Sequence, residues 1–164
     1  MSVQSGVHAE TSMRSLLTRG AIGGIVAGMV FAVANMWFAS SNGMPAIMPL
    51  KTIASIVQGA PAAMDGSASP LIGVLVHIVL SIAFGIGLAL VARALPAPGP
   101  IAVAALVYGA ALYVVNFLIL APLFFEAFTM ANQPFEAVAH VVYAAVVLPF
   151  LLHFERADVG GARR

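Results

Sequence analysis

Residues 71–94 read LIGVLVHIVLSIAFGIGLALVARA. This run of 24 residues holds a single charged side chain, Arg93, at its end, and one other ionisable group, His77. Crossing the hydrocarbon core takes about 20 apolar residues as a helix. Lipid offers no hydrogen bonds to the backbone, so only helices and closed barrels span it, and the run lacks the two-residue alternation of a barrel strand. The stretch therefore predicts a transmembrane helix.

Three further runs have the same character: AIGGIVAGMVFAVANMWFAS (21–40), IAVAALVYGAALYVVNFLILA (101–121) and FEAVAHVVYAAVVLPFLLHF (135–154). Composition agrees. The chain has 164 residues, 62% hydrophobic and 8% charged, whereas a soluble domain carries about 25% charged residues. Thirteen charged side chains (7 basic, 6 acidic) cannot cover a soluble surface of this size. A soluble enzyme, a nucleic-acid binder and a disordered chain are excluded. With no cysteine, the chain has no disulfides, no thiolate metal sites and no cysteine nucleophile.

The expected fold is all-α: an integral membrane four-helix bundle over residues 20–156, with polar cytoplasmic tails at 1–19 and 157–164. Ser69-Pro70 and Asn132-Gln133-Pro134 read as helix starts, and LPAPGP (95–100) as a tight connection. Between the first two spans, Leu50, Ile53, Ala54 and Val57 recur at helical spacing opposite Lys51, Ser55 and Gln58. That pattern predicts a short amphipathic helix at about 49–58, lying on the outer interface. Orientation follows from the basic residues. Arg14, Arg19, Arg93, Arg156, Arg163 and Arg164 fall on one side and only Lys51 on the other, which puts both termini in the cytoplasm.

An internal repeat is legible. Gly24, Gly28 and Asn35 share their spacing with Ala105, Gly109 and Asn116 at an offset of 81, and His77 and Arg93 share theirs with His140 and Arg156 at an offset of 63. The chain thus reads as two tandem helical hairpins in parallel orientation. Small residues four apart mark close helix contact, and Gly20, Gly24, Gly28, Gly85, Ala105 and Gly109 are the expected packing positions.

Arg19 to Asn35, His77 to Arg93 and His140 to Arg156 are each 16 residues. At 1.5 Å per residue, each polar group is expected about 24 Å from the arginine level. Asn35, His77, Asn116 and His140 should then share one intramembrane layer, with Glu136 a turn from His140. Facing residues suggest two Asn–His pairs across helix interfaces, and Tyr113 joining the layer.

Intramembrane ionisable residues are functional candidates by default. The leading expectation is structural: hydrogen-bonded pairs in a non-enzymatic protein with no cofactor, an accessory or assembly component of a larger membrane complex or a homo-oligomer. One alternative is a haem b or divalent-metal site on His77 and His140, with Glu136 in support. Another is a channel or transporter protomer in which His140, Glu136 and Tyr143 pass protons.

The entry Arg19-Gly20 into a glycine-rich helix (Gly23, Gly24, Gly28), His77 in HIVLSIAFGIG and His140 in HVVY together resemble a broad group of small four-helix bacterial inner-membrane proteins with no established function. The resemblance covers residues 19–156 and departs at Ala144, where a glycine is expected. It implies a multi-pass protein of the inner (plasma) membrane and carries over no catalytic residues.

Overall fold

The computed structural model describes the backbone of residues 2–161 and the side chains of residues 13–152. Arg156, Arg163 and Arg164, on which part of the expected orientation rests, lie outside the described side chains, as does the segment expected as a tail at 157–164, of which only the backbone as far as Gly161 is described. The described chain is all-helical. Helix α1 runs Ser2–Ser41, α2 Met48–Gln58, α3 Ala60–Met64, α4 Pro70–Arg93, α5 Pro98–Tyr113, α6 Ala121–Phe124 and α7 Gln133–Gly161. A π-helical segment, Val114–Leu120, joins α5 to α6, and a 3₁₀ turn, Glu126–Met130, precedes α7. Four helical stretches are long and apolar enough to cross a membrane: Met13–Ser41, Pro70–Arg93, Pro98–Phe124 and Gln133–Leu152. They contain the four runs expected from sequence, apart from Ala94 and the last two residues of the fourth.

The helix starts have ordinary physical causes. Pro70 opens α4 and Pro98 opens α5, because first-turn N–H groups have no intrahelical acceptor to lose. The third span thus begins three residues before Ile101. Asn132 caps α7 through its side chain, its Oδ1 accepting from the Phe135 N–H at 3.0 Å. Ser69 stands at the cap position of α4, but its hydroxyl makes no cap bond. Its N–H instead donates to Gln58 Oε1 at 2.8 Å, tying the end of α2 to the start of α4.

α1 and α4 approach until their backbones touch. A Cβ on Gly24 would meet the Ser81 carbonyl, and one on Gly20 would lie 2.8 Å from both Ala89 Cβ and the Gly85 carbonyl. A Cβ on Gly85 would lie 2.7 Å from Gly24 Cα. α5 meets α7 the same way, with the Gly109 position 2.6 Å from the His140 carbonyl. α1 also packs along α7, where Gly23 faces Phe150 and the Phe38 and Phe135 rings stack at 4.1 Å. The expected packing positions Gly20, Gly24, Gly28, Gly85, Ala105 and Gly109 are all buried inside the chain.

α4 and α5 meet only sparsely. The short 94–97 connection holds them together at one end. Partway along, Tyr108 Oη donates to the Phe84 carbonyl at 2.9 Å, over the space that Gly87 leaves open. Beyond Tyr108 the two helices part.

The π segment reshapes the third span. Ile101, Ala105 and Gly109 are buried, and so are Phe117 and Ala121, always in steps of four or eight. Each four-residue step advances an α-helix by about 40°, so a regular helix would carry Phe117 and Ala121 off that face. Wider i→i+5 turns undo the drift, with Ala121 N–H donating to the Asn116 carbonyl. Pro122, just past the segment, lacks the N–H that a regular turn would offer Leu118.

α2 differs from its expected placement. It packs on the start of α4, and a Cβ on Gly73 would run into the Leu50 carbonyl. Ala54 and Ser55 are buried while Val57 is exposed. Ser55 therefore sits on the packed face, opposite to its expected side. Its small volume permits close approach, and its hydroxyl is satisfied by the Thr52 carbonyl at 2.6 Å. In the loop that follows, Lys51 Nζ donates to the Gly66 carbonyl at 2.6 Å. The Asp65 carboxyl is held below the usual carboxylate range by hydrogen bonds from the Ser67 hydroxyl and N–H, with a smaller pull from Lys51.

The α1–α4 contact is open to test. Gly24→Ala forces two backbones apart and is expected to cost about 1–3 kcal/mol in thermal unfolding of the solubilised protein. Gly99→Ala, where a Cβ meets nothing within 4 Å, is expected to leave stability unchanged. Equal behaviour of the two variants would refute this packing.

Candidate functional site

The parting of α4 from α5 leaves a cavity of about 1350 Å³ in the bundle. α1, α4, α5 with its π segment, and α7 wall it, and α2, α3 and the 3₁₀ turn close over one end. Ala111 and Val115 line it and are themselves exposed, so it opens sideways along α5. Its walls are mainly apolar. Asn35, His77, Asn116, Glu136 and His140, the five expected polar residues, all line it.

They do not share one level. His77 Nε2 lies 2.9 Å from the Gly28 carbonyl, and Arg93 Nη1 donates to Met13 Sδ at 3.5 Å. In this register His77 stands beside Gly28 and Arg93 beside Met13, not beside Arg19. Phe31 packs edge-on against His140 at 5.0 Å between centroids, which sets His140 near the height of Phe31, between Gly28 and Asn35. Asn35, seven residues beyond Gly28, stands about 10 Å further toward α2 at 1.5 Å per residue. The Phe38–Phe135 stack places Glu136 level with Asn35. The expectation of a single layer assumed a common arginine baseline, and the helix register removes it. The polar residues are spread in height: His77 lies beside Gly28, Asn35 and Glu136 lie toward α2, and His140 stands between.

Nor do the expected Asn–His pairs form. Asn35 Nδ2 donates to the Phe31 carbonyl of its own helix at 3.2 Å. His140 Nδ1 bonds the Glu136 carbonyl at 2.7 Å, and His77 bonds Gly28. Asn116, turned by the π segment away from the line of Gly109, is half-buried and faces the cavity. Tyr113 donates to Gln133 Oε1 at 3.2 Å rather than to a member of the polar set.

Glu136 is the unusual group. Its side chain is 9% exposed, and its Oε2 is buried with no hydrogen-bond partner among the described residues. His140 Nδ1 stands 3.9 Å from it and is already engaged by the Glu136 carbonyl. Around His140 stand the rings of Phe31, Tyr113 and Phe117, all edge-to-face, at 5.0, 6.3 and 5.4 Å.

Two tyrosines that sequence reading left aside or gave another role shape the floor of the cavity. Tyr143, 5% exposed, donates to the Ser81 carbonyl at 2.6 Å and so bridges α7 to α4. Tyr108 does the same from α5 to Phe84. A signal existed: all three tyrosines of the chain fall inside spans, where a buried phenol needs a partner. For ligation, the phenyl ring of Phe31 stands against both His77 and His140, at 5.8 and 5.0 Å. Among the described residues, no group of three or more His, Cys, Asp or Glu side chains gathers as a metal site.

Compared with protein-family profiles, curated proteins and solved structures, the chain matches none.

Tyr143→Phe keeps the ring packing and deletes the bond to Ser81. The expected loss is about 0.5–1.5 kcal/mol in thermal unfolding, against about 3–5 kcal/mol for Tyr143→Ala. Identical losses for the two variants would show that the hydroxyl carries the tyrosine's whole contribution and the ring packing none.

Proposed function

We propose that the chain is a non-enzymatic, multi-pass protein of the bacterial inner membrane that holds a small amphiphilic molecule in its cavity. The observation that carries this reading is the cavity itself. Ligand sites are concave, mostly apolar, and fitted with a few convergent polar groups. Here about 1350 Å³ lies among phenylalanines and aliphatic side chains, and the intramembrane polar residues converge on it. The opening along Ala111 and Val115 supports access from the bilayer between α4 and α5.

The accessory role expected from sequence relied on small-residue faces offered to partners. Those glycines are used inside the chain, between α1 and α4 and between α5 and α7.

The bundle is further read as two tandem hairpins. In support, Gly28 meets His77 and Ser81, and Gly109 meets His140 and Ala144, and these contacts map onto one another by offsets of 81 and 63. The halves have since diverged: α1 packs along α7, but the corresponding pair, α5 and α4, stands apart. Cytoplasmic termini follow from the arginines. Arg14, Arg19 and Arg93 fall at one end of the bundle and Lys51 at the other.

Dodecanol is a suitable probe of the cavity. In phosphatidylcholine nanodiscs it is expected to bind saturably, with one equivalent resolved by native mass spectrometry. Ala111→Phe, which fills the opening, is expected to weaken it about tenfold. Uptake no different from that of empty nanodiscs would sink the reading. For orientation, a membrane-impermeant maleimide is expected to label Ser67→Cys on intact cells and Gly99→Cys only after permeabilisation. The reverse pattern would invert the topology.

A further inference from the structure

The polar atoms of the cavity are matched to one kind of ligand head. A carbonyl oxygen can only accept, so the ring nitrogen that meets one must carry the hydrogen. His77 therefore donates from Nε2 to Gly28, and His140 from Nδ1 to Glu136. In the neutral imidazole the other ring nitrogen is then a bare acceptor. The phenols of Tyr108 and Tyr143 give their hydrogens to Phe84 and Ser81, and Asn35 gives one amide hydrogen to Phe31. Backbone carbonyls have thus taken most of the side-chain hydrogens, and what these groups still offer is largely lone pairs. Donors persist too: the second amide hydrogen of Asn35, the amides of Asn116 and Asn132, and the Ser81 hydroxyl also line the cavity. Glu136 adds a carboxyl whose side chain is 9% exposed and whose Oε2 has no partner among the described residues.

A buried carboxyl oxygen without a hydrogen bond is costly, and none of the described residues bonds Glu136 Oε2. Glu136 lies in the first turn of α7 and lines the cavity, within reach of a ligand head that enters near the membrane surface. The aromatic side chains Phe117 and Phe128 line the same cavity and favour a cation.

Resting on the cavity reading above, we infer that the cavity selects an amphiphile whose head is a protonated amine, with Glu136 as its counter-charge and a single apolar chain lying among the phenylalanines. A phosphate or carboxylate head would meet the Glu136 carboxyl with like charge and be disfavoured. The ammonium could belong to a free lipophilic amine or to an aminophospholipid. The phosphate of the latter argues for the former.

The test holds the chain constant and varies the head: dodecylamine, dodecanol and dodecanoate, each titrated at pH 7 into the full-length protein in phosphatidylcholine nanodiscs. The expected order is amine, then alcohol, then carboxylate, with the amine about tenfold tighter than the alcohol, as for a charge-assisted bond. Glu136→Gln is expected to abolish that preference while leaving dodecanol binding in place, which also reports that the variant is folded. Replacing phosphatidylcholine by phosphatidylethanolamine separates the two sources: competition with dodecylamine no greater than in phosphatidylcholine supports the free amine, and displacement overturns that choice. Equal binding of all three heads, dodecanoate as the best ligand, or an amine preference that survives Glu136→Gln would each overturn the inference while the cavity reading stands. Failure of every probe would overturn both.

Discussion

The contact on which the molecule depends is the one between the backbones of α1 and α4. At Gly20, Gly24 and Gly85 there is no room for a single added carbon. In a membrane, apolar surface gains nothing by leaving lipid for protein, so helix association rests on close van der Waals packing and interhelical hydrogen bonds. Glycine at four-residue spacing supplies both. It brings the axes together, and it brings the Gly28 carbonyl within 2.9 Å of His77. That register then sets the height of every polar side chain on α4 relative to α1.

The cavity follows from where this close packing stops. α1 holds α4 on one side and α7 on the other, and α7 holds α5. With those three interfaces made, α4 and α5 need only be joined at their short connection and at Tyr108. The bundle is a chain of tight pairs left open at one seam. The π segment belongs to the same design. It keeps Phe117 against His140 of α7 and Ala121 buried while turning Asn116 toward the open space.

How much of this was legible in the sequence depended on range. Helix positions followed from hydropathy, prolines and the Asn132 cap, all local. The packing role of Gly20, Gly24, Gly28, Gly85, Ala105 and Gly109 was also legible, because four-residue spacing of small residues has one common use. Ser55 was assigned to the wrong face because amphipathicity alone cannot tell a polar surface from a hydroxyl that bonds its own helix. Asn116 was misaligned because a π segment breaks the 3.6-residue count without any single-residue signature. The Asn–His pairs failed because backbone carbonyls, present at every residue, competed for the same hydrogens.

The sequence by itself determined an all-helical chain with four membrane-length spans, the helix faces that pack, and the small set of polar residues that lie within the spans. Those properties depend on composition and on spacing along single helices. Only the tertiary structure decided that the polar residues stand at different heights around one cavity, that Tyr108 and Tyr143 shape its floor, and that Glu136 Oε2 has no hydrogen-bond partner among the described residues. Height and pairing across helices depend on the sliding register of one helix against another. That register is fixed by contacts between residues such as Gly24 and Ser81, far apart in the chain, and no spacing within a helix encodes it.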